Sequence, residues 1–133
     1  MKIKSCPSIL TLSLLIAILF SNLTFAQAVN IEPRYTGIFN LRSTLNISDK
    51  GAASCSGYVS LRNGYTADMT VELKQDGNTI KTWTKSGTGV VSAGGTYYVM
   101  SGHNYVVTTT VDIYDAEDNF IESPSLDSVK RYY

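Results

Sequence analysis

The chain has 133 residues, of which eleven are basic, eleven acidic and one a histidine, so it is formally neutral and 44% hydrophobic. That length suits a single domain. A neutral chain without a basic stripe argues against nucleic acid or an anionic membrane as partner, and one histidine with two cysteines leaves no Cys/His metal cluster.

Lys2 and Lys4 open the chain, residues 9–20 form an apolar run broken only by Thr11 and Ser13, and Ala26-Gln27-Ala28 follows with small residues at alternate positions. This order is that of a secretory signal peptide cleaved after Ala28. A membrane span needs about 20 predominantly apolar residues, and the run is shorter. Cys6 precedes the apolar run, so it is not a lipoprotein cysteine, and Lys130-Arg131-Tyr132-Tyr133 ends the chain without an apolar anchor tail. The reading is therefore a signal peptide over 1–28 and one secreted domain over 29–133, with no membrane span. Losing Lys2 and Lys4 leaves nine basic against eleven acidic residues, a formal charge of −2. Only Cys55 remains of the two cysteines, which excludes an internal disulfide in a compartment that permits one.

Residues 29–133 read as β-structure throughout: apolar and polar residues alternate, tyrosine and β-branched residues abound, and Gly, Asn and Asp interrupt at short intervals. The first strand is predicted over 35–48, with Phe39, Leu41, Leu45 and Ile47 inward, and Asp49-Lys50-Gly51 turns it. A second strand places Ala53, Cys55, Gly57, Val59 and Leu61 inward, before a turn at Asn63-Gly64. The third places Met69, Val71 and Leu73 inward. Asp76-Gly77 then gives a two-residue hairpin signal, leading to a strand over 79–85 with Ile80 and Trp83. A Ser/Gly/Thr connection over 86–89, a short Val90-Val91 segment, and a strand over 96–100 after Gly94-Gly95 come next.

Val99, Gly102 and Tyr105 introduce the strongest strand, on which Val107, Thr109, Val111 and Ile113 continue inward. In immunoglobulin-type sandwiches a tyrosine at the start of the sixth strand sends its hydroxyl back to upstream backbone, and Tyr105 is placed for that role. Cys55 and Val107 then stand where antibody domains carry their bonded cysteines, here packed rather than bonded. A loop over 115–119 and a last strand over 120–132 follow. Pro124 interrupts that strand and marks an edge or a bulge. The fold expected is an all-β immunoglobulin-like sandwich of about seven antiparallel strands.

Several stretches carry a wider likeness: Ile31-Glu32-Pro33-Arg34-Tyr35, Gly51-Ala52, Gly57-Tyr58-Val59, Val71-x-Leu73-x-Gln75, Trp83, and Val111-x-Ile113-Tyr114 with Glu122 nearby. In these the chain resembles a family of small secreted Firmicute proteins of unknown function. It departs from that pattern at Lys74, where the family's glutamine would fall, and at Ile80, where a tryptophan would. The resemblance implies export and a β-sandwich, and it brings no active site.

The residues able to do chemistry are few. His103 stands near Ser101, but a Ser-Gly-His sequence is also what a tight reversal requires; no catalytic residue is assigned and no cofactor is expected. Cys55 has the inward parity of a small buried hydrophobe. Asp115, Glu117 and Asp118, with Asp112 and Asn119 nearby, form the one carboxylate cluster and the one weak candidate for a calcium site. Trp83, Tyr58 and Tyr114 are the candidate ligand-binding aromatics, with outward tyrosines set among hydroxyls in a way that suits a glycan or peptide surface. Asn46-Ile47-Ser48 matches a glycosylation acceptor. The expectation is a monomeric, non-catalytic binding module at or near the cell envelope, recognising a cell-wall glycan or protein. The alternatives are a surface protein that assembles through edge strands, and a secreted enzyme or inhibitor.

Overall fold

The computed structural model describes residues 35–133; the signal peptide read over 1–28 lies outside the described residues. Nine strands follow in order: β1 (Ile38–Ile47), β2 (Ala52–Leu61), β3 (Thr66–Gln75), β4 (Asn78–Thr88), β5 (Val90–Tyr98), β6 (Asn104–Tyr114), β7 (Phe120–Glu122), β8 (Ser125–Asp127) and β9 (Arg131–Tyr132). They form two antiparallel sheets. One has the order β1-β2-β5; the other runs β4-β3-β6, with β7, β8 and β9 all paired to the far side of β6. Consecutive strands change sheet at β2–β3, β4–β5 and β5–β6, which is the immunoglobulin-type plan with the fourth strand beside the third.

The core lies between the sheets and is built from one side of each strand. From β2 come Ala53, Cys55, Val59 and Leu61; from β3 Ala67, Met69, Val71 and Leu73; from β6 Tyr105, Val107, Val111 and Ile113. Gly57 is also inward, because Thr109 of β6 needs its space: a Cβ on Gly57 would stand 2.7 Å from both branches of Thr109 and from Val71 Cγ2. The Thr109 hydroxyl is satisfied by Ser43 Oγ at 3.0 Å, and Ser43 in turn donates to the Val107 carbonyl at 2.8 Å. One polar chain thus ties β1 to β6 across the sandwich.

Where strand boundaries differ from the sequence reading, pairing geometry supplies the reason. Phe39 is not inward but 66% exposed, and Ile38 is buried instead. The β1–β2 pairing slips between Ile38 and Asn40, and such a bulge reverses which residues face the core. β4 continues through the supposed 86–89 connection to Thr88, and β5 runs unbroken through Gly94-Gly95. Asp76-Gly77 is a two-residue hairpin with φ of 49° and 87°, the pair of positive angles a type I′ turn requires. The last segment is three short strands rather than one. Pro124 is buried between β7 and β8, and its carbonyl accepts Val111 N–H at 3.0 Å.

Candidate functional site

The three aromatic candidates do not meet. Tyr58 is half-buried on the outer face of the β1-β2-β5 sheet, in register with Arg42 on β1 and Ser92 on β5. Tyr114 lies at the end of β6 on the outer face of the other sheet, edge-on to Phe120 with ring centroids 5.9 Å apart. Trp83 is on β4 with the inward parity, since it pairs with buried Val71.

Trp83 is half-buried and packs against the core where β4 and β5 close the open flank between the sheets. It lies so close over Gly95 that a Cβ there would stand 2.8 Å from the indole Nε1. Lys81 sits over the ring, with Nζ 5.9 Å from its centroid, and Lys81 and Lys85 share its parity. Lysines pointing inward from an edge strand obstruct pairing with a second chain. Trp83 therefore serves first as the clasp between the sheets.

The outer face of the β1-β2-β5 sheet is organised around Tyr58. Arg42 Cζ lies 5.5 Å from the Tyr58 ring centroid, and Arg62 Cζ lies 4.2 Å from that of Phe39, the residue the bulge turned outward. The outward rows on either side of Tyr58 are Thr44–Ser56–Gly94 and Asn40–Ser60–Val90, with Asn46–Ser54–Thr96 beyond, so hydroxyls and amides share this face with exposed Val90. Sequence periodicity found Tyr58. It missed Phe39, because no one-strand pattern announces the bulge.

The carboxylate loop is occupied by its own backbone. Asp115 Oδ1 accepts the N–H groups of Glu117 and Asn119, each at 2.9 Å, and Oδ2 accepts Asn119 Nδ2 at 3.3 Å. These bonds, that to Asn119 foremost, lower the Asp115 pKa below the ordinary carboxylate range. Among the described residues no group of three His, Cys, Asp or Glu side chains is placed to hold a metal, so the Asp115, Glu117 and Asp118 candidate does not assemble.

The reactive-residue candidates have structural partners. His103 Nδ1 is 2.6 Å from Asp76 Oδ2, and Asp76 Oδ1 also accepts the Asn104 N–H at 3.0 Å. The backbone bond from Asn104, then the histidine, lowers the Asp76 pKa. A carboxyl group with a depressed folded-state pKa stabilises above its unfolded value and loses that contribution as pH falls. Asp76→Asn is accordingly expected to flatten the loss of stability below about pH 4, near the ordinary aspartate value, in urea titrations across the acid range. An unchanged acid limb would dismiss the linkage.

Cys55 is buried, and desolvation pushes its thiol up to about 11. In the folded protein it should resist alkylation at neutral pH and become reactive only in denaturant. Rapid labelling of native protein, or a disulfide-linked dimer on a non-reducing gel, would contradict its burial.

Tyr105 is buried at the start of β6 and its hydroxyl donates to the Met100 carbonyl at 2.6 Å, the geometry of a tyrosine corner. Gly102, at φ 90°, shapes that corner, and its N–H donates to the Tyr133 carbonyl. Val107 and Cys55 lie buried in the same core. Compared with protein-family models and with curated proteins, the chain matches none.

Proposed function

We propose that this chain is a secreted, monomeric, non-catalytic binding module that acts at or near the cell envelope and takes its ligand on the Tyr58 face. The observation that carries this reading is the arrangement around Tyr58: a half-exposed ring in the middle strand of a three-stranded sheet, flanked by Arg42 and by rows of hydroxyls and amides. Aromatic rings beside polar groups on a stiff surface suit glycans and extended peptides. The signal-peptide pattern over 1–28 and the resemblance to small secreted Firmicute proteins support export. Buried Cys55 and an Asp76-bound His103 favour binding over catalysis.

Retention of the purified protein on cell-wall fractions and on a glycan array tests the reading, with Tyr58→Ala and Trp83→Ala side by side. Tyr58→Ala is expected to lose retention with its thermal midpoint nearly unchanged. Trp83→Ala is expected to lose about 1–3 kcal/mol of stability, less than a fully buried tryptophan, while the folded fraction still binds. Equal retention of wild type and Tyr58→Ala would remove that face as the contact.

Assembly through edge strands is less well supported. β4 carries inward-parity Lys81 and Lys85, β1 is bulged at its start, and the far side of β6 is covered by three short strands. A single mass independent of concentration in light scattering is the expected result.

A further inference from the structure

The carboxylates are unevenly divided between the sheets, although five of the basic residues, Lys74, Lys81, Lys85, Lys130 and Arg131, also lie on the β4-β3-β6 side. β1, β2 and β5 contain no aspartate or glutamate, whereas nine of the eleven acidic residues fall on the strands and loops of the other sheet, from Asp68 to Asp127. On the strands of the β1-β2-β5 sheet the formal charges are Arg42 and, just past the end of β2, Arg62; Asp49 and Lys50 lie in the β1–β2 turn. Neither arginine has a carboxylate partner among the described residues, where the one ion pair is His103–Asp76. Glu122, which reaches the entry of β1, is bound by the N–H groups of Thr36 and Gly37 at 3.2 and 2.8 Å.

Each arginine lies over an aromatic ring on this face, Arg42 over Tyr58 and Arg62 over Phe39. A guanidinium resting on a ring has lost much of its conformational freedom before binding, yet keeps in-plane N–H donors that match a carboxylate two at a time. The members of the two pairs are three residues apart on the bulged β1 (Phe39 and Arg42) and four apart along β2 (Tyr58 and Arg62), on the order of 10 Å of extended chain. That is too far for one small anion to bridge, but suits a chain that carries repeated acidic groups. The intervening hydroxyls and amides suit sugar hydroxyls.

We infer that the β1-β2-β5 face binds a carboxylate-bearing polysaccharide, a polyuronate, with Arg42 and Arg62 each pairing a carboxylate and with Tyr58 and Phe39 supporting sugar rings. The inference rests on the proposed binding function and names the ligand class of the same face.

Affinity electrophoresis of the purified protein in polygalacturonate tests it, with fully methyl-esterified polymer and inorganic polyphosphate run alongside. Retardation is expected in the free acid, weakening as salt rises, and much less in the ester or polyphosphate. Arg42→Gln and Arg62→Gln should each weaken binding about tenfold, as loss of one charge-assisted pair implies. Lys81→Gln and Lys85→Gln on β4 should leave it unchanged. Equal retardation by the ester would overturn the carboxylate assignment, and would leave the Tyr58 face standing if Tyr58→Ala abolished it. Equal retardation by polyphosphate, or equal losses from the lysine variants, would reduce the effect to bulk charge and overturn the inference. Absence of retardation by polygalacturonate would also overturn it, while the cell-wall retention of Tyr58→Ala decides the broader function separately.

Discussion

Gly94→Ala should cost the domain about 3 kcal/mol or more, or prevent folding, because strain and collision act together at this position. Gly94 has φ of 139°, and a Cβ there would overlap the Cys55 carbonyl oxygen and stand 2.9 Å from Ser56 Cα. The obstruction is backbone, so no rotamer change relieves it. β5 would have to part from β2 in the middle of their ladder, where Cys55 pairs with Gly95 and Ser56 with Gly94. Gly77→Ala supplies the comparison. Gly77 also has positive φ, at 87°, but a Cβ there meets nothing within 4 Å, so only about 1 kcal/mol is expected from conformation alone. Urea denaturation of both variants separates the effects, and equal midpoints would mean that β5 accommodates the methyl group.

Tyr105 should produce the second large effect. Tyr105→Ala removes a fully buried ring from the junction of the sheets and is expected to cost about 3–5 kcal/mol. Tyr105→Phe keeps the ring but leaves the Met100 carbonyl without its donor, at a cost of about 1–3 kcal/mol. A phenylalanine variant as stable as wild type would show that packing alone accounts for the corner. There is an alkaline signature too. Burial, the largest influence, raises the Tyr105 pKa, so folding favours the neutral phenol. Its contribution is complete below the unfolded value near pH 10 and declines as pH rises further, a decline that Tyr105→Phe should lack.

The inward faces of β2, β3 and β6 were legible because strict alternation over ten residues leaves one assignment that buries the apolar set. Asp76-Gly77 and Tyr105 were legible because local chemistry dictates their geometry. Phe39 was not, since a bulge depends on the partner strand. Gly94-Gly95 read as a break before the strand over 96–100, since glycine weakens a strand interior; their actual cause is the backbone of β2 and the indole of Trp83, both distant in sequence. The candidate site suffered likewise. Tyr58 could be placed outward from its own strand, but its neighbours Arg42 and Ser92 come from strands before and after it. Overall charge gave no hint of the face, because a sum does not show that β1, β2 and β5, which meet only in the folded sheet, carry no carboxylate.

The sheet-to-sheet crossings also govern how the chain reaches its native form. Each sheet is joined at its middle by partners some forty positions apart, as in Cys55 with Gly95 and Met69 with Val111. Hairpins such as β3–β4 can close early, yet neither layer is complete until distant segments meet, and domains dominated by such remote pairings fold in about milliseconds to seconds. A chain made from its N-terminus would therefore have no complete core until β6 was available to pair with β3, so the sandwich closes late, as one cooperative unit.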